Sequence, residues 1–414
     1  METTRKNKSL YHWLILLSCT LAMGSSIGIM INCSGLYFAP VCDELGLRRG
    51  DLSLYSTICS LVGGFFSPVV VKLMDKFRVN LIMASGITLQ SIATACLGLS
   101  HSVWMFYILG AFIGMGYCLC TTIPLVIIIN NWFEKSNGLA MGIVMSASGI
   151  FGAIFTNIIS TLISTCGWRM SYLIVSAISL AISLPGMIFI IRLTPEEKGL
   201  LPYGAKEFPV REIKSTSHKV KVSIFSAALI SFILYTLFAS CTNSMNSHFP
   251  GYATETGAGA AAGALMMTGC MVGNIVSKLI FGVLADKIGP VITGAVWSSV
   301  SAAALFILSF GHFESSAVLM VLGLFYGFTY AICPVAMPLI VRKIWGINKY
   351  AKVFSVGNMF ASVGYAIFLS VIGYIYDFTG TYRIATAACA VCSLMAVVFM
   401  FVTLVLGRKE KHNS

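Results

Sequence analysis

The sequence predicts an all-α membrane protein: twelve transmembrane helices in two pseudo-symmetric six-helix bundles. Three observations predict it. Of the 414 residues, 57% are hydrophobic and only 10% charged, whereas soluble domains carry about 25% charged residues. The apolar residues fall in runs long enough to cross a bilayer core about 30 Å thick. Short motifs of the first half recur at matching places in the second.

Twelve runs follow one another, near 10–41, 52–74, 81–100, 103–130, 139–165, 171–191, 222–250, 258–285, 291–310, 316–341, 353–376 and 384–407. The opening "METTRKNKSLYHW" leads into an apolar run too long for a signal peptide and without a small-residue cleavage site. It is expected to stay attached as span 1. Twelve spans put both termini on one side. Under this assignment 22 of the 27 lysines and arginines share the face of the termini, and only Arg48, Arg49, Arg169 and Arg383 lie opposite. That asymmetry is the positive-inside rule and places the termini in the cytoplasm, in a multi-pass protein of the cell membrane.

The same distribution accounts for the net charge of +12. The basic residues form no continuous stripe, so no nucleic-acid partner is expected. Most of the thirteen cysteines, among them Cys19, Cys59, Cys118, Cys120 and Cys270, sit inside apolar runs without metal-ligand spacing. They read as small, polarizable packing residues. The six histidines lie near run ends or in polar segments, so neither a metal nor a cofactor is expected.

The longest polar segment, 192–221, is rich in proline, glycine and charge and suits a cytoplasmic linker between a first bundle (1–191) and a second (222–414). "LMDKFR" (73–78) matches "LADKIG" (284–289) at an offset of 211, "FIGMGY" (112–117) matches "FYGFTY" (325–330) at 213, and "GWRMSY" (167–172) and "GTYRIA" (380–385) occupy the same late position in their halves. Internal repetition of this kind is how transporters build a substrate site at a repeat interface.

On these motifs the chain resembles the major facilitator superfamily over nearly its whole length. The loops after spans 2 and 8 resemble its signature, glycine–x–x–x–Asp–Arg/Lys–x–glycine. The second copy runs from Gly282 through Asp286 and Lys287 to Gly289, and the first, around Asp75 and Lys76, has Val71 and Arg78 in place of glycines. The resemblance implies a gating role for Asp75, Lys76, Asp286 and Lys287. "NNWFEKSNGLAMGIVMSASGIFG" (130–152), "CGWRMSY" and a single cation in span 8 resemble the oxalate–formate antiporter and monocarboxylate-transporter branch.

That cation is Lys278, the one basic residue assigned to neither face. Eight residues separate it from Asp286, about 12 Å of helix, which places it near the midplane. All fifteen acids can be placed outside the mid-membrane zone. A charge at a helix centre costs about 2.5–3.5 kcal/mol on insertion scales. Snorkelling would be the default near a helix end, but here the stem reaches only part of the way. Lys278 is therefore expected to bind an anionic substrate. The repeat-equivalent residue is Ser67, so one half alone carries the charge.

The branch commonly has an arginine in span 8 that binds the substrate carboxylate. A lysine there keeps the preference for an anion but lacks the two-pronged grip of a guanidinium. The oxalate–formate exchangers also carry a second cation in span 11, where this chain aligns the neutral Asn358. A dianion on one lysine would keep an uncompensated charge in low dielectric, so a monocarboxylate is expected. Further pocket candidates are Asn274, on the same helical face at i,i+4 spacing, Asn32 in span 1, Thr122 and Tyr117 in span 4, and Tyr330 and Cys333 in span 10. For each the competing role is packing or a helix–helix hydrogen bond. Gly138, Gly142 and Ser146 read as a close helix–helix seam. Pro124, Pro334 and Pro338 are expected to kink spans 4 and 10.

Proton coupling would need a titratable group. The candidates are Glu255, in "GYATETGAG" at the outer mouth of spans 7 and 8, and Lys278 itself, taking up a proton with the anion and losing it when emptied. Pure anion exchange is the other route. The rival reading is a carrier of a neutral solute or drug, with Lys278 in a gating role. An enzyme or sensor would need a catalytic constellation or a soluble domain, and the linker of about 30 residues is too short for one. The chain is thus expected to be a non-enzymatic, monomeric carrier whose partners are a small organic anion, the bilayer and, if it is a symporter rather than an exchanger, a co-transported proton.

Overall fold

The computed structural model describes residues 2–47, 49–205 and 226–412. Eleven stretches among them are long and apolar enough to cross a membrane. In the first half they are Leu10–Tyr37, Leu54–Met74, Val79–Leu97, Val103–Trp132 and Asn137–Ile190. The second half holds Ala227–Glu255, Ala262–Ile288, Pro290–Phe310, Ser316–Ile347, Lys349–Tyr376 and Arg383–Lys409. The 54-residue stretch Asn137–Ile190 would be about 80 Å long as one helix, more than two bilayer cores. Gly167, at φ 78° and ψ 160°, breaks it into spans 5 and 6. Gly346, at φ 68°, separates spans 10 and 11 in the same way. Twelve spans result, numbered 1 to 12 in chain order.

The helices persist through apolar surroundings because a helix satisfies every backbone group internally. Their ends follow local chemistry. Ser226 caps span 7 by accepting the Leu229 N–H at 3.2 Å. Pro290 opens span 9, where its missing N–H costs no hydrogen bond. Gly380, at φ 68°, closes span 11 in a left-handed turn. Large apolar residues such as Phe65, Trp104, Phe189, Phe310 and Phe378 stand exposed, as lipid-facing surfaces require.

The chain divides into two compact units, Met1–Val222 and Ser223–Ser414. In the first unit, span 1 is not the plain helix expected over 10–41. It turns into a π-helix at Gly24–Ile31 and a 3-10 turn at Ser34–Tyr37, and a separate short helix, Phe38–Leu45, follows. The π segment lies on span 5: a Cβ at Gly28 would come within 2.9 Å of the Ser148 carbonyl. It also carries Ser26, which donates to Gln90 Oε1 in span 3 and receives the Cys120 Sγ–H of span 4 at 3.5 Å. This knot satisfies a fully buried amide.

Proline reshapes span 4 as expected, through a π-helix at Cys118–Thr122 just before Pro124. In the second unit, span 10 passes through a 3-10 stretch, Gly327–Ala331, and a π stretch, Ile332–Ala336, that contains Pro334. Span 7 likewise tightens at Met245–His248 before its last helical turns, Phe249–Glu255. Glu255 therefore ends a helix rather than sitting in an open loop.

Residues 192–205, expected to begin a linker, fold back onto the first unit. The Trp132 indole N–H donates to the Arg192 carbonyl at 2.9 Å, and Asn131 to that of Leu193 at 3.1 Å. The Tyr203 N–H donates to the Trp132 carbonyl at 2.8 Å, and the Tyr203 carbonyl accepts from Lys135 N–H at 3.0 Å. His12 Nε2 donates to the Leu201 carbonyl at 2.8 Å. "NNWFEK" thus anchors a strap. The rest of the expected linker, 206–221, lies outside the described residues.

Candidate functional site

Spans 8 and 10 meet backbone to backbone. A Cβ at Gly327 would lie 2.6 Å from the Cys270 carbonyl oxygen and 3.0 Å from the Asn274 nitrogen. Gly323 lies against the Met266 carbonyl, Gly269 against that of Met320 and Gly273 against that of Leu324. Only glycine permits such an approach. Ser277, fully buried, donates to the Asn274 carbonyl at 3.1 Å and the Gly327 carbonyl at 3.4 Å.

This seam sets the depth of Lys278. Contacts advance together from Met266–Gly323 to Cys270–Gly327, so the two helices run in parallel. One turn beyond the Asn274–Gly327 contact, span 8 reaches Lys278 and span 10 reaches Ala331. Tyr330 and Cys333 lie within about one turn, ~5 Å, of that level. Lys278 is 4% exposed and Asn274 also 4%. The amide oxygen of Asn274 has no hydrogen-bond partner.

Cys333 Sγ sits 3.9 Å from both Ser240 Oγ and Asn243 Nδ2 in span 7. Asn243 was missed from sequence, although "SCTNSMNSH" (240–248) is a conspicuous polar cluster for a span. Its Oδ1 and that of Asn246 lack partners, while its carbonyl accepts from the Tyr326 hydroxyl at 3.2 Å. Tyr330 is half-buried and meets Tyr326 edge-on at 6.3 Å. Asn358 in span 11 is half-buried. Its carbonyl accepts from Ser362 Oγ at 3.1 Å, and the adjacent Gly357 packs on the Phe232 ring of span 7.

The first unit repeats the seam without the charge. Gly110 lies against the Tyr55 carbonyl and Gly114 against that of Cys59, the repeat equivalents of Met266 and Cys270. Ser67, equivalent to Lys278, donates to the Gly63 carbonyl at 3.0 Å and lies 3.5 Å from Cys118 Sγ. Gly63, equivalent to Asn274, leaves room for the Tyr117 ring, whose Cε1 a Cβ there would approach to 2.9 Å. Tyr117 therefore packs over span 2. Thr122 is half-buried at the end of the π segment. Asn32 is exposed and donates through Nδ2 to the Ser148 carbonyl of span 5 at 3.0 Å.

The loop motifs differ in a way that explains the irregular first copy. Gly289 has φ +94°, a conformation that suits glycine. Arg78 has φ −65° and ψ 132°, open to any residue. Asp75, Lys76, Asp286 and Lys287 are all exposed at the ends of spans 2 and 8.

The span ends opposite the Asp75 and Asp286 turns carry a repeated clasp. Glu44 accepts from the Trp168 indole N–H and pairs with Arg169 at 3.0 Å. Arg169 also donates to the carbonyls of Gly98 and Ser100 at 3.1 and 2.9 Å. The indole hydrogen bond first, and the guanidinium second, hold the Glu44 carboxyl below its ordinary range. Glu255, at the same offset of 211 from Glu44, accepts from the Thr381 hydroxyl and from the Tyr382 N–H at 2.7 Å. Both of its oxygens thus hold the start of span 12.

Twelve apolar spans, broken helices beside buried polar side chains and a duplicated seam define a multi-pass membrane transporter. The profile of the Major Facilitator Superfamily matches residues 14–263 and 233–414, and the chain belongs to that superfamily. It is similar to monocarboxylate transporter 13 of Rattus norvegicus, 23% identical over 380 residues that cover 89% of this chain and 83% of that protein. It is also similar to monocarboxylate transporter 12 of Mus musculus, 21% identical over 415 residues that cover 95% and 84%. Its fold matches the fucose:proton symporter FucP of E. coli with a TM-score of 0.69 at 17% identity, covering 95% of this chain and 99% of that one.

Proposed function

We propose that this transporter moves a small organic anion, a monocarboxylate, across the cell membrane by alternating access, with Lys278 receiving the carboxylate and both termini cytoplasmic. The observation that carries the reading is the placement of Lys278. It is buried, and ten residues separate it from the nearer end of span 8. The acids that fall within the described spans, Glu255 and Asp286, stand at or near their ends. Among the described residues, the middle of span 8 thus holds a cation while the acids of the spans lie at their ends, a field that favours an anion. Asn274, Tyr330, Cys333 and Asn243 stand at or near the same depth as polar neighbours. The names of the two mammalian relatives support the same substrate class.

One positive charge neutralises one carboxylate. With Asn358 neutral, a dianion would leave a charge uncompensated. A bound monocarboxylate offsets the Lys278 charge, and an emptied site loses that offset at a depth where a charged side chain costs about 2.5–3.5 kcal/mol on insertion scales. Return of the empty carrier is therefore the slow step, and exchange of one anion for another, or release of the lysine proton with the anion, relieves it.

The test is a thermal-unfolding screen of the purified protein against lactate, pyruvate, formate, oxalate and longer acids, with Lys278→Ala alongside. Monocarboxylates stabilise the wild type and not the variant. Stabilisation that persists in Lys278→Ala, or that neutral solutes alone produce, refutes the assigned role.

A further inference from the structure

The turn between spans 2 and 3 and the segment after span 6 border a cavity of about 410 Å³ in the first unit. Phe77, Arg78, Val79 and Asn80 line one side, and Arg192, Leu193 and Glu197 the other. The volume lies in the range of small-ligand sites.

Two guanidinium groups border it. Arg78 is exposed, and Arg192 is half-buried. One donor of the five on the Arg192 fork goes to the Ile191 carbonyl at 2.6 Å. Glu197 opposes them, but its Oε1 is turned onto the backbone N–H groups of Leu193 and Thr194, at 3.1 and 3.2 Å. Span 3 begins at Val79, and its first helical bonds come from Leu81 and Ile82 to the Arg78 carbonyl. The Val79 and Asn80 N–H groups, and the positive end of a 19-residue helix, add to the two arginines.

We infer that this cavity is a binding site for a phosphate group, gripped by Arg78 and Arg192 over the start of span 3. Arginine forks match the tetrahedral oxygens of phosphate through paired, charge-assisted bonds. The phosphate comes from an anionic lipid headgroup or from solution. The rim favours the lipid, because Phe77 lines it and is exposed, and an exposed ring at a span end suits contact with acyl chains while basic pockets at that depth hold headgroups. Arg78 stands where the superfamily motif has glycine, so the departure supplies one of the two cations. The site is independent of Lys278 and of the substrate.

The full-length protein in nonionic detergent is titrated with short-chain phosphatidylglycerol, with inorganic phosphate and with short-chain diacylglycerol, and thermal unfolding is followed. The wild type is compared with Arg78→Gln/Arg192→Gln and, because Arg192 also bonds to the backbone, with Arg78→Glu alone. Stabilisation by phosphatidylglycerol that needs about tenfold more lipid in the variants supports a lipid-borne phosphate. The same pattern with inorganic phosphate alone supports a soluble one. Equal responses in wild type and variants, no response to either phosphate, or an equal response to diacylglycerol overturns the site.

Discussion

Gly327 of span 10 lies so close to Cys270 of span 8 that a Cβ on the glycine would come within 2.6 Å of the cysteine carbonyl. The pair holds the helix that carries Lys278 against the broken stretch that carries Tyr330 and Cys333. Gly114 and Cys59 repeat it in the first half. Gly327→Ala is expected to lower stability by about 1–3 kcal/mol through overpacking and to weaken anion binding by tilting span 8. Gly114→Ala is expected to lower stability alike but to spare binding. Unfolding midpoints and ligand-induced shifts of the two variants check this, and equal loss of binding in both would contradict it.

Glu255 separates two roles. Its oxygens hold Thr381 and the Tyr382 N–H, as a structural clasp does. Glu255→Gln is expected to cost about 1–3 kcal/mol of stability while leaving the pH profile of uptake unchanged. A flattened profile in that variant would instead make Glu255 the proton carrier.

The equivalent clasp at Glu44 gives a pH prediction with a definite sign. A carboxyl whose folded pKa is depressed contributes stability that is present above its unfolded value, about 4.3, and lost as pH falls through the folded value. The difference in unfolding midpoint between wild type and Glu44→Gln is expected to be constant near neutrality and to shrink once pH falls below about 4.3. A difference that grows on acidification would contradict the clasp.

The strap behind span 6 rests on Trp132. Trp132→Phe keeps an aromatic ring beside Tyr11, whose centroid is 5.5 Å from that of Trp132, but loses the hydrogen bond to the Arg192 carbonyl. A loss of about 0.5–1.5 kcal/mol is expected, together with faster proteolysis within residues 192–205. Unchanged cleavage would show that the strap is held by other contacts.

Most of the fold was legible because its causes are local. Runs of apolar residues near bilayer length, separated by charged turns, give spans whatever the tertiary structure, and the offsets of 211 and 213 mark the duplication. The irregular segments were only half legible. Pro124 and Pro334 announce the breaks in spans 4 and 10, whereas the π-helix at Gly24–Ile31 answers to the close approach of span 5, which no local pattern reports. The strap was hidden for the same reason: 192–205 has a linker's composition, and only the Trp132 and Tyr203 hydrogen bonds reveal its docking. Of the site candidates, Tyr117 has a packing that no local pattern reports, because it follows from a missing side chain at Gly63. Asn243 was legible as an amide in a span but drew no attention without its approach to Cys333.

The central claim concerns the charge on Lys278, and exchange across a membrane tests it most directly. Proteoliposomes loaded with unlabelled monocarboxylate are given the labelled acid outside, for wild type, Lys278→Arg and Lys278→Ala. Labelled acid is expected to accumulate with wild type, to be retained at least partly with Lys278→Arg, and to vanish with Lys278→Ala although that protein remains folded. Exchange by Lys278→Ala at the wild-type rate would contradict the account.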